Sequence, residues 1–305
     1  MTAVVSEPTP TSRPEPAAPQ AVRQATFPRA AGHGPGSGLR SLWAERLTGA
    51  PVRPSGDSNH RGHSFADMCA ALLTEIDATE NLDLVVLAHV TPDLDPRDSV
   101  AGALAAPDRL VFAVSDQGRL APFTALRLAM AFPDRPHAAV IVLDQAAVPY
   151  ADPDLSALDE TFDHAVALRP ALGFHPVRQW ADITGDRVTG VLEPALAVEH
   201  PDLVILGPAL PPPAGFTWRR APGDQLGTAV FSALSAELTG TESDGARPGE
   251  AQPDGTTVGR PRRITVVEYE PALRGLALVT WSEPSPPARH LAPVPDLRSG
   301  PTDRR

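Results

Sequence analysis

The chain of 305 residues has a single cysteine, Cys69, and no lysine, so all 26 of its basic residues are arginine. A lone cysteine excludes an internal disulfide bond and fits a reducing compartment. The absence of lysine excludes Schiff-base chemistry and covalent attachment of pyridoxal phosphate to this chain. No apolar run approaches the ~20 residues that a membrane-spanning helix needs. We therefore expect a cytoplasmic protein that does not enter a membrane.

The formal net charge is −11, and a basic footprint for nucleic acid is absent. The glycine-rich stretch at residues 32–38 follows no predicted strand, so it fails the context test for a nucleotide-binding loop. His89 and Asp93 lie close together in a turn, but the spacing of the oxygen ligands there matches no calcium loop. The sequence thus predicts no nucleic acid, no cofactor and no metal.

Proline and glycine are plentiful, with 36 and 23 residues, and they cluster near both ends of the chain. Residues 1–58 show no sustained periodicity, and we interpret them as a disordered leader, with 283–305 as a disordered tail. A polar stretch at 240–262 is interpreted as a flexible loop. Both tails are expected to be dispensable for folding. The folded part is expected to comprise an N-terminal half, 59–170, and a C-terminal half, 171–282.

The pattern of apolar residues predicts similar elements in both halves. Ser64 is a candidate N-cap for a helix whose apolar face includes Cys69, which we interpret as a buried structural residue. Near-continuous apolar runs typical of buried strands occur at Leu84–Ala88, Leu110–Val114 and residues 137–145, 161–170 and 198–207. Helices are predicted after Pro122 and over 223–238, and a strand hairpin within 262–281. A helix near residue 190 is not expected to continue past Pro194.

The residues LVVLAHVTPD and FAVSDQGRLAPFTALRLA, followed by PDLVILGPAL, APGDQLGTAVFSALSAELTG and RRITVVEYEPALRGLALVTW, resemble the thiolase superfamily. Within it they are similar to β-ketoacyl-ACP synthases of the acyl-CoA-primed type. The resemblance runs from about Phe65 to Trp281. It implies an α/β fold with αβαβα layers, built from two pseudo-repeated halves.

The same resemblance implies that the catalytic residues of the family are missing. The position of the nucleophilic cysteine falls on Gly118 or Arg119, the histidine position on Gly207, and the asparagine position on Asp224. The glycine loop that donates an oxyanion-hole N–H falls on residues 269–271, where Pro271 has no N–H. Condensation by a thiolate, with a histidine and an asparagine, needs groups that these positions lack.

The resemblance therefore implies a non-catalytic ketosynthase-like protein of a polyketide, fatty-acid-like or secondary-metabolite pathway. It would act as a homodimer, as a chain-length-factor-like heterodimer with an active ketosynthase homologue, or as a scaffold that binds an acyl carrier protein. In the family, a strand and the nucleophile-bearing helix form the dimer contact. This implies an interface that includes Phe112, Val114, Phe123 and Leu126.

An alternative is an acyltransferase or hydrolase that keeps the fold and has relocated its catalytic residues. Asp116 and His164 are candidates for such a role, together with Asp224. Ser115 beside Asp116 is a candidate nucleophile if a base lies within reach. His175 and His200 are further candidate bases, although each precedes a proline in a predicted turn. Arg219 and Arg220 are candidates for contacting a phosphopantetheine or CoA phosphate.

Overall fold

The structure is a computed structural model that describes residues 20–28, 63–77, 81–93, 99–145, 162–240 and 262–284. Within these ranges the chain forms two five-stranded mixed sheets and five α-helices. None of these helices has the length and the apolar character needed to cross a bilayer. Residues 241–261 of the predicted loop, residues 285–305 of the predicted tail and most of the predicted leader lie outside the described residues.

The first half contains one sheet with strand order β1-β5-β4-β2-β3. Strand β2 is parallel to β3 and β4, whereas β5 is antiparallel to β4 and β1. The elements are β1 (Val22–Pro28), α1 (Phe65–Asp77), β2 (Leu84–His89), α2 (Val100–Leu104), β3 (Leu110–Val114), α3 (Ala121–Met130), β4 (Ala138–Asp144) and β5 (Phe162–Leu168).

The second half repeats this arrangement with strand order β6-β10-β9-β7-β8. Strand β7 is parallel to β8 and β9, and β10 is antiparallel to β9 and β6. The elements are β6 (Arg178–Trp180), α4 (Val188–Glu199), β7 (Leu203–Leu206), β8 (Trp218–Arg220), α5 (Ala229–Thr239), β9 (Arg263–Glu270) and β10 (Gly275–Ser282). Apart from α2, each element of one half has its counterpart in the other. The predicted duplication is confirmed.

Helices α3 and α5 lie between the two sheets, where Phe123 and Phe231 pack with ring centroids 5.3 Å apart. Helix α1 packs on the outer face of the first sheet, and α4 on the outer face of the second. The layers therefore follow the order αβαβα. Because α3 is central, Phe123 and Leu126 are fully buried within the chain. Their predicted place in a dimer contact is wrong for that reason.

Helix α1 begins at the predicted cap. The Ser64 hydroxyl accepts the N–H of Asp67 at 3.1 Å and donates to the carboxylate of Asp67 at 2.8 Å, which satisfies an N–H that the first helical turn leaves open. Cys69 is fully buried on the face that meets the sheet. Burial, followed by the nearby charge of Asp93, raises the pKa of its thiol to about 12. The structural interpretation of Cys69 is confirmed.

The turn that follows β2 anchors the start of α1. The carboxylate of Asp93 accepts the N–H of Phe65 at 3.1 Å and the side-chain amide of Gln145 at 2.9 Å. His89 donates from Nδ1 to the carbonyl of Thr91 at 2.8 Å. These contacts give the two residues that suggested a metal site a structural role.

Two predictions about local structure are wrong. Residues Val22–Pro28, assigned to the disordered leader, form β1 and pair with the whole of β5, from Val22 opposite Leu168 to Pro28 opposite Phe162. Pro28 is tolerated because β1 is an edge strand, where one row of N–H groups is not needed. Helix α4 continues past Pro194 to Glu199, so burial of Leu192, Ala195 and Leu196 against the sheet outweighs the hydrogen bond lost at the proline.

The pairing of β1 with β5 predicts that the leader is only partly dispensable. A chain that begins at Gln20 should melt at the temperature of the full-length protein, since it keeps β1. A chain that begins at Arg29 should melt many degrees lower, because β5 loses a seven-residue partner and Val22 leaves the core. Thermal unfolding followed by circular dichroism compares the two. Equal melting temperatures would contradict a stabilising role for β1.

Candidate functional site

The carboxylate of Asp144, the last residue of β4, binds the start of α5 in the other half. Its two oxygens accept the N–H groups of Leu226 at 3.0 Å, Gly227 at 3.1 Å and Thr228 at 2.8 Å, together with the hydroxyl of Thr228 at 2.6 Å. Four hydrogen-bond donors and the position at a helix N-terminus offset the free-energy cost of burying this carboxylate. Asp144 therefore fixes the loop that leads into α5.

Glu270 makes the equivalent contact in the opposite direction. It is the last residue of β9, the counterpart of β4, and its Oε2 accepts the N–H of Arg119 at 3.1 Å. Arg119 lies in the short turn Gly118–Leu120 that leads into α3, just as Leu226 precedes α5. Each half thus holds the central helix of the other half through a carboxylate at a strand end.

At Gly118, one of the two predicted nucleophile positions, Glu270 fills the side-chain space. A Cβ on Gly118 would lie 2.7 Å from Glu270 Cδ and would overlap Oε2. The backbone of Gly118 also has a φ of +51°, which a residue with a side chain adopts only with strain. A cysteine at this position is therefore excluded as long as Glu270 keeps its place.

At Gly207, the predicted histidine position, Glu268 fills the corresponding space. The N–H of Gly207 bonds to Val267 O at 2.8 Å, which brings the glycine beside Glu268 on β9. A Cβ on Gly207 would lie 2.5 Å from Glu268 Oε2 and would overlap Oε1. The side-chain space at Gly118 and at Gly207 is thus occupied by carboxyl groups from one strand, β9.

Arg119, the alternative nucleophile position, links these carboxyl groups to the loop before α5. Its guanidinium donates from Nη1 to the carbonyl oxygens of Gln225 at 2.9 Å and Leu226 at 3.4 Å. Its positive charge also acts on Glu268. An arginine cannot act as a nucleophile at neutral pH because it stays protonated. At this position it neutralises charge and joins the two halves.

Glu268 is almost entirely buried, and its Oε2 has no hydrogen-bond partner among the described residues. Its Oε1 accepts the N–H of Tyr269 at 3.0 Å. Burial is the largest cause that raises the pKa of Glu268, to about 8, and the charge of Glu270 adds to it. Arg119 and the N–H of Tyr269 act in the opposite direction. Glu268 therefore carries a proton at neutral pH.

The other predicted site residues lie in different environments. Asp224, the asparagine position, is exposed. Asp116 is exposed as well, has a φ of 59°, and accepts the hydroxyl of Ser115 at 3.2 Å. His164 is buried on β5, opposite Asp144 in the sheet register. The two exposed aspartates and the buried histidine thus differ in their access to solvent.

Arg219 and Arg220, the predicted phosphate contacts, make contacts within the chain. Arg219 forms an ion pair with Glu237 of α5. Arg220 donates from Nη1 to the carbonyl oxygens of Gly207, Pro208 and Leu210 at 3.3, 2.8 and 2.8 Å. It also stacks over the ring of Trp218. Arg220 thereby holds the turn that contains Gly207, and a role for either arginine in ligand binding stays a prediction.

Residues 269–271, the predicted glycine-loop position, end β9 and enter a tight turn to β10. Tyr269 is buried and donates from its hydroxyl to Ile183 O at 2.9 Å. The Glu270 carboxylate accepts the N–H of Ala272 at 3.2 Å, and Arg274 closes the turn by donating to Pro271 O at 3.2 Å.

Glu268 and Asp144 are the two residues of this region that sequence reasoning missed. A usable signal exists for Glu268, because the alternation of a strand places it on the same face as Ile264 and Val266, which belong to the central core. Carboxylates are rarely buried without a partner. A glutamate in phase with core residues therefore indicates a special environment.

No protein-family model and no curated protein matches the sequence, whereas solved structures do. The tetronic acid condensing enzyme AbyA1 is 16% identical with a TM-score of 0.52, covering 86% of this chain and 100% of that one. The 3-oxoacyl-(acyl carrier protein) synthase III FabH of Pseudomonas aeruginosa PAO1 is 17% identical with a TM-score of 0.45, covering 87% and 99%. The likeness to AbyA1 agrees with the thiolase-like fold that the resemblance predicts, and identity this low shows the fold alone.

The protonated state of Glu268 predicts a specific pH dependence of stability. The pKa in the native state is about 8 and the ordinary value is 4.5, so the native state keeps a proton that the unfolded state releases between these values. The free energy of unfolding should therefore fall as pH rises from about 5 to 8, by up to about 1.4 kcal/mol per pH unit. The substitution Glu268→Gln should remove this contribution and make the protein more stable than wild type at pH 8.

Urea unfolding at pH 5, 6, 7 and 8 measures the effect. Glu283→Gln is the matched control, because Glu283 is 61% exposed and the same carboxyl group is replaced by the same amide. If the free energies of unfolding of wild type and Glu268→Gln differ by the same amount at every pH, the assignment of the proton to Glu268 is contradicted.

Proposed function

We propose that this chain is a non-catalytic ketosynthase-like protein of a polyketide, fatty-acid-like or secondary-metabolite pathway. It acts as a dimer partner, in the manner of a chain-length factor, or as a scaffold that binds an acyl carrier protein. The observation that carries the proposal is that Glu270 and Glu268 fill the side-chain space at Gly118 and Gly207. Attack on an acyl group and decarboxylation each lack a reactive group in the place where the fold would need it.

Other residues of the chain also do not replace the missing nucleophile and histidine. The single cysteine, Cys69, lies on α1 and is buried against the outer face of the first sheet, and its thiol has a raised pKa. A thiol is reactive as the thiolate, so Cys69 does not provide a replacement nucleophile. Glu268 holds a proton at neutral pH, and Arg119 is engaged with two carbonyl groups.

The partner role is supported by the position of β3. It is the last strand of its sheet among the described residues, and Leu110 at its start is 38% exposed. An exposed strand edge carries N–H and C=O groups that can pair with a second strand. Pairing of two β3 strands across a two-fold axis would continue one sheet through both subunits. Phe112 packs beside Phe132 at 5.6 Å and backs this edge from within the chain.

The first test is the absence of condensing activity. The purified protein, incubated with acyl-CoA and a malonyl-loaded acyl carrier protein, should form no β-ketoacyl product above background, because the nucleophile and the histidine are both replaced. Mass spectrometry of the carrier protein measures the product. An active thiolase-fold condensing enzyme in the same assay is the positive control. Turnover that disappears in Glu268→Gln or Glu270→Gln would contradict the proposal.

The second test is the state of association. We expect a dimer for the wild type, either of two copies or with a ketosynthase homologue, and monomers for Leu110→Arg and Ala113→Arg. Both residues are exposed on β3, so an arginine there should block strand pairing without entering the core. Light scattering at micromolar concentration measures the mass. Leu273→Arg, in the exposed turn after β9, is the control that should stay dimeric.

A stable wild-type monomer, both alone and when co-expressed with ketosynthase homologues, would contradict the partner role. A dimer that persists in both β3 variants would show that another surface forms the contact. These outcomes are independent of the condensation assay, so each half of the proposal can fail separately.

A further inference from the structure

A serine and a histidine outside the region described above form a short hydrogen bond at the end of β10. The ring Nε2 of His175 lies 2.6 Å from the hydroxyl oxygen of Ser282. Both side chains are half-buried, so they are held in place and remain accessible to solvent. A hydroxyl within hydrogen-bond reach of an imidazole is the basic unit of nucleophilic catalysis by serine.

The backbone holds these two residues in a fixed geometry. His175 donates its N–H to Thr280 O at 2.8 Å, and Ser282 donates its N–H to Gly173 O at 2.8 Å. Between them Phe174 and Trp281 form a β-bridge, and Trp281 donates from its indole nitrogen to Leu172 O at 2.9 Å. Residues 172–175 are thus attached to β10 on both sides of the pair, and the hydrogen bond does not depend on a mobile loop.

An arginine lies opposite the serine in the sheet. Arg263 is the residue directly opposite Ser282 in the register of β9 and β10, so both side chains leave the sheet on the same face. Its Nη2 donates to Glu199 at 3.1 Å, whereas its Nε has no hydrogen-bond partner among the described residues. A guanidinium in this position can stabilise the negative charge that develops on a carbonyl oxygen during attack by Ser282.

We propose that Ser282, His175 and Arg263 form a second site that reacts with activated acyl esters. His175 Nε2 takes the hydroxyl proton of Ser282, and Oγ forms a bond to the acyl carbon. The bond to the leaving group breaks, the leaving group takes its electron pair, and His175 returns the proton to it. Water then attacks the acyl-serine with His175 as base, and the carboxylic acid is released as Ser282 regains its proton. The balance is ester plus water to acid plus alcohol or thiol.

This site lies on the outer face of the second sheet, the face that carries Leu278 and α4. It is therefore separate from Gly118, Gly207 and Glu268, which face the central layer. The inference does not rest on the non-catalytic role proposed for those positions. If the protein has relocated catalytic residues, as the alternative function requires, the inference places them at Ser282 and His175 and not at Asp116, Asp224 or His164.

A fluorophosphonate probe tests the site on the full-length protein, because it phosphonylates activated serines and releases fluoride. Mass spectrometry should locate one adduct on Ser282. Ser282→Ala should abolish the adduct, and His175→Gln should slow its formation by about 100-fold, the lower range for loss of a general base. Ser115→Ala is the matched control, since Ser115 is also half-buried and its hydroxyl donates to a carboxylate rather than to a histidine.

A second measurement keeps the test valid if the variants are unstable. Ser282→Cys should be alkylated by iodoacetamide at least about ten times faster than Ser115→Cys, because a neighbouring imidazole favours the thiolate, and Cys69 gives little background. Replacing His175 by Gln in the Ser282→Cys protein should lower its alkylation rate to that of Ser115→Cys. Absence of a fluorophosphonate adduct on Ser282, or equal alkylation of the two cysteine variants, would overturn the proposal.

Discussion

The reciprocal contacts of Asp144 and Glu270 are the constraint on which the rest of the structure depends. Each is the last residue of a central strand, and each accepts N–H groups at the start of the central helix of the other half. A helix N-terminus needs partners for its open N–H groups, and a carboxylate is a favourable one. The contacts therefore fix α3 and α5 between the sheets, which in turn buries Phe123 against Phe231 and sets the distance between the two sheets.

Much of this fold could be predicted from the sequence, because parallel strands buried on both faces appear as continuous apolar runs such as Leu84–Ala88. Strand β1 could not. Its burial alternates, with only Val22 deeply buried, and its identity as a strand comes from pairing with β5 rather than from its own composition. Glu268 and Asp144 were also missed, since carboxylates on a strand are usually exposed, although the alternation of β9 places Glu268 in phase with the core residues Ile264 and Val266.

The two carboxyl groups on β9 differ from each other when each is compared with the equivalent residue of β4 in the first half. Glu270 corresponds to Asp144 and is compensated by the N–H of Arg119 and by solvent. Glu268 corresponds to Val142, a core residue of β4. The second half thus places a glutamate where the first half has a valine, and it keeps that glutamate neutral by protonation. Burial of a charged carboxylate with one oxygen unbonded costs far more than burial of the protonated acid.

These relationships couple four residues, the glycines Gly118 and Gly207 and the glutamates Glu270 and Glu268 that fill the space beside them. A cysteine at Gly118 requires Glu270 to leave, but Glu270 also holds the turn that begins α3. A histidine at Gly207 requires Glu268 to leave, and Arg119 would then lose a nearby carboxyl group. A side chain added at either glycine therefore meets a carboxyl group that has its own structural partners. The central layer therefore uses its carboxyl groups for contacts that hold the two halves together. The proposed functions lie elsewhere, at the sheet edge formed by β3 and on the outer face around Ser282.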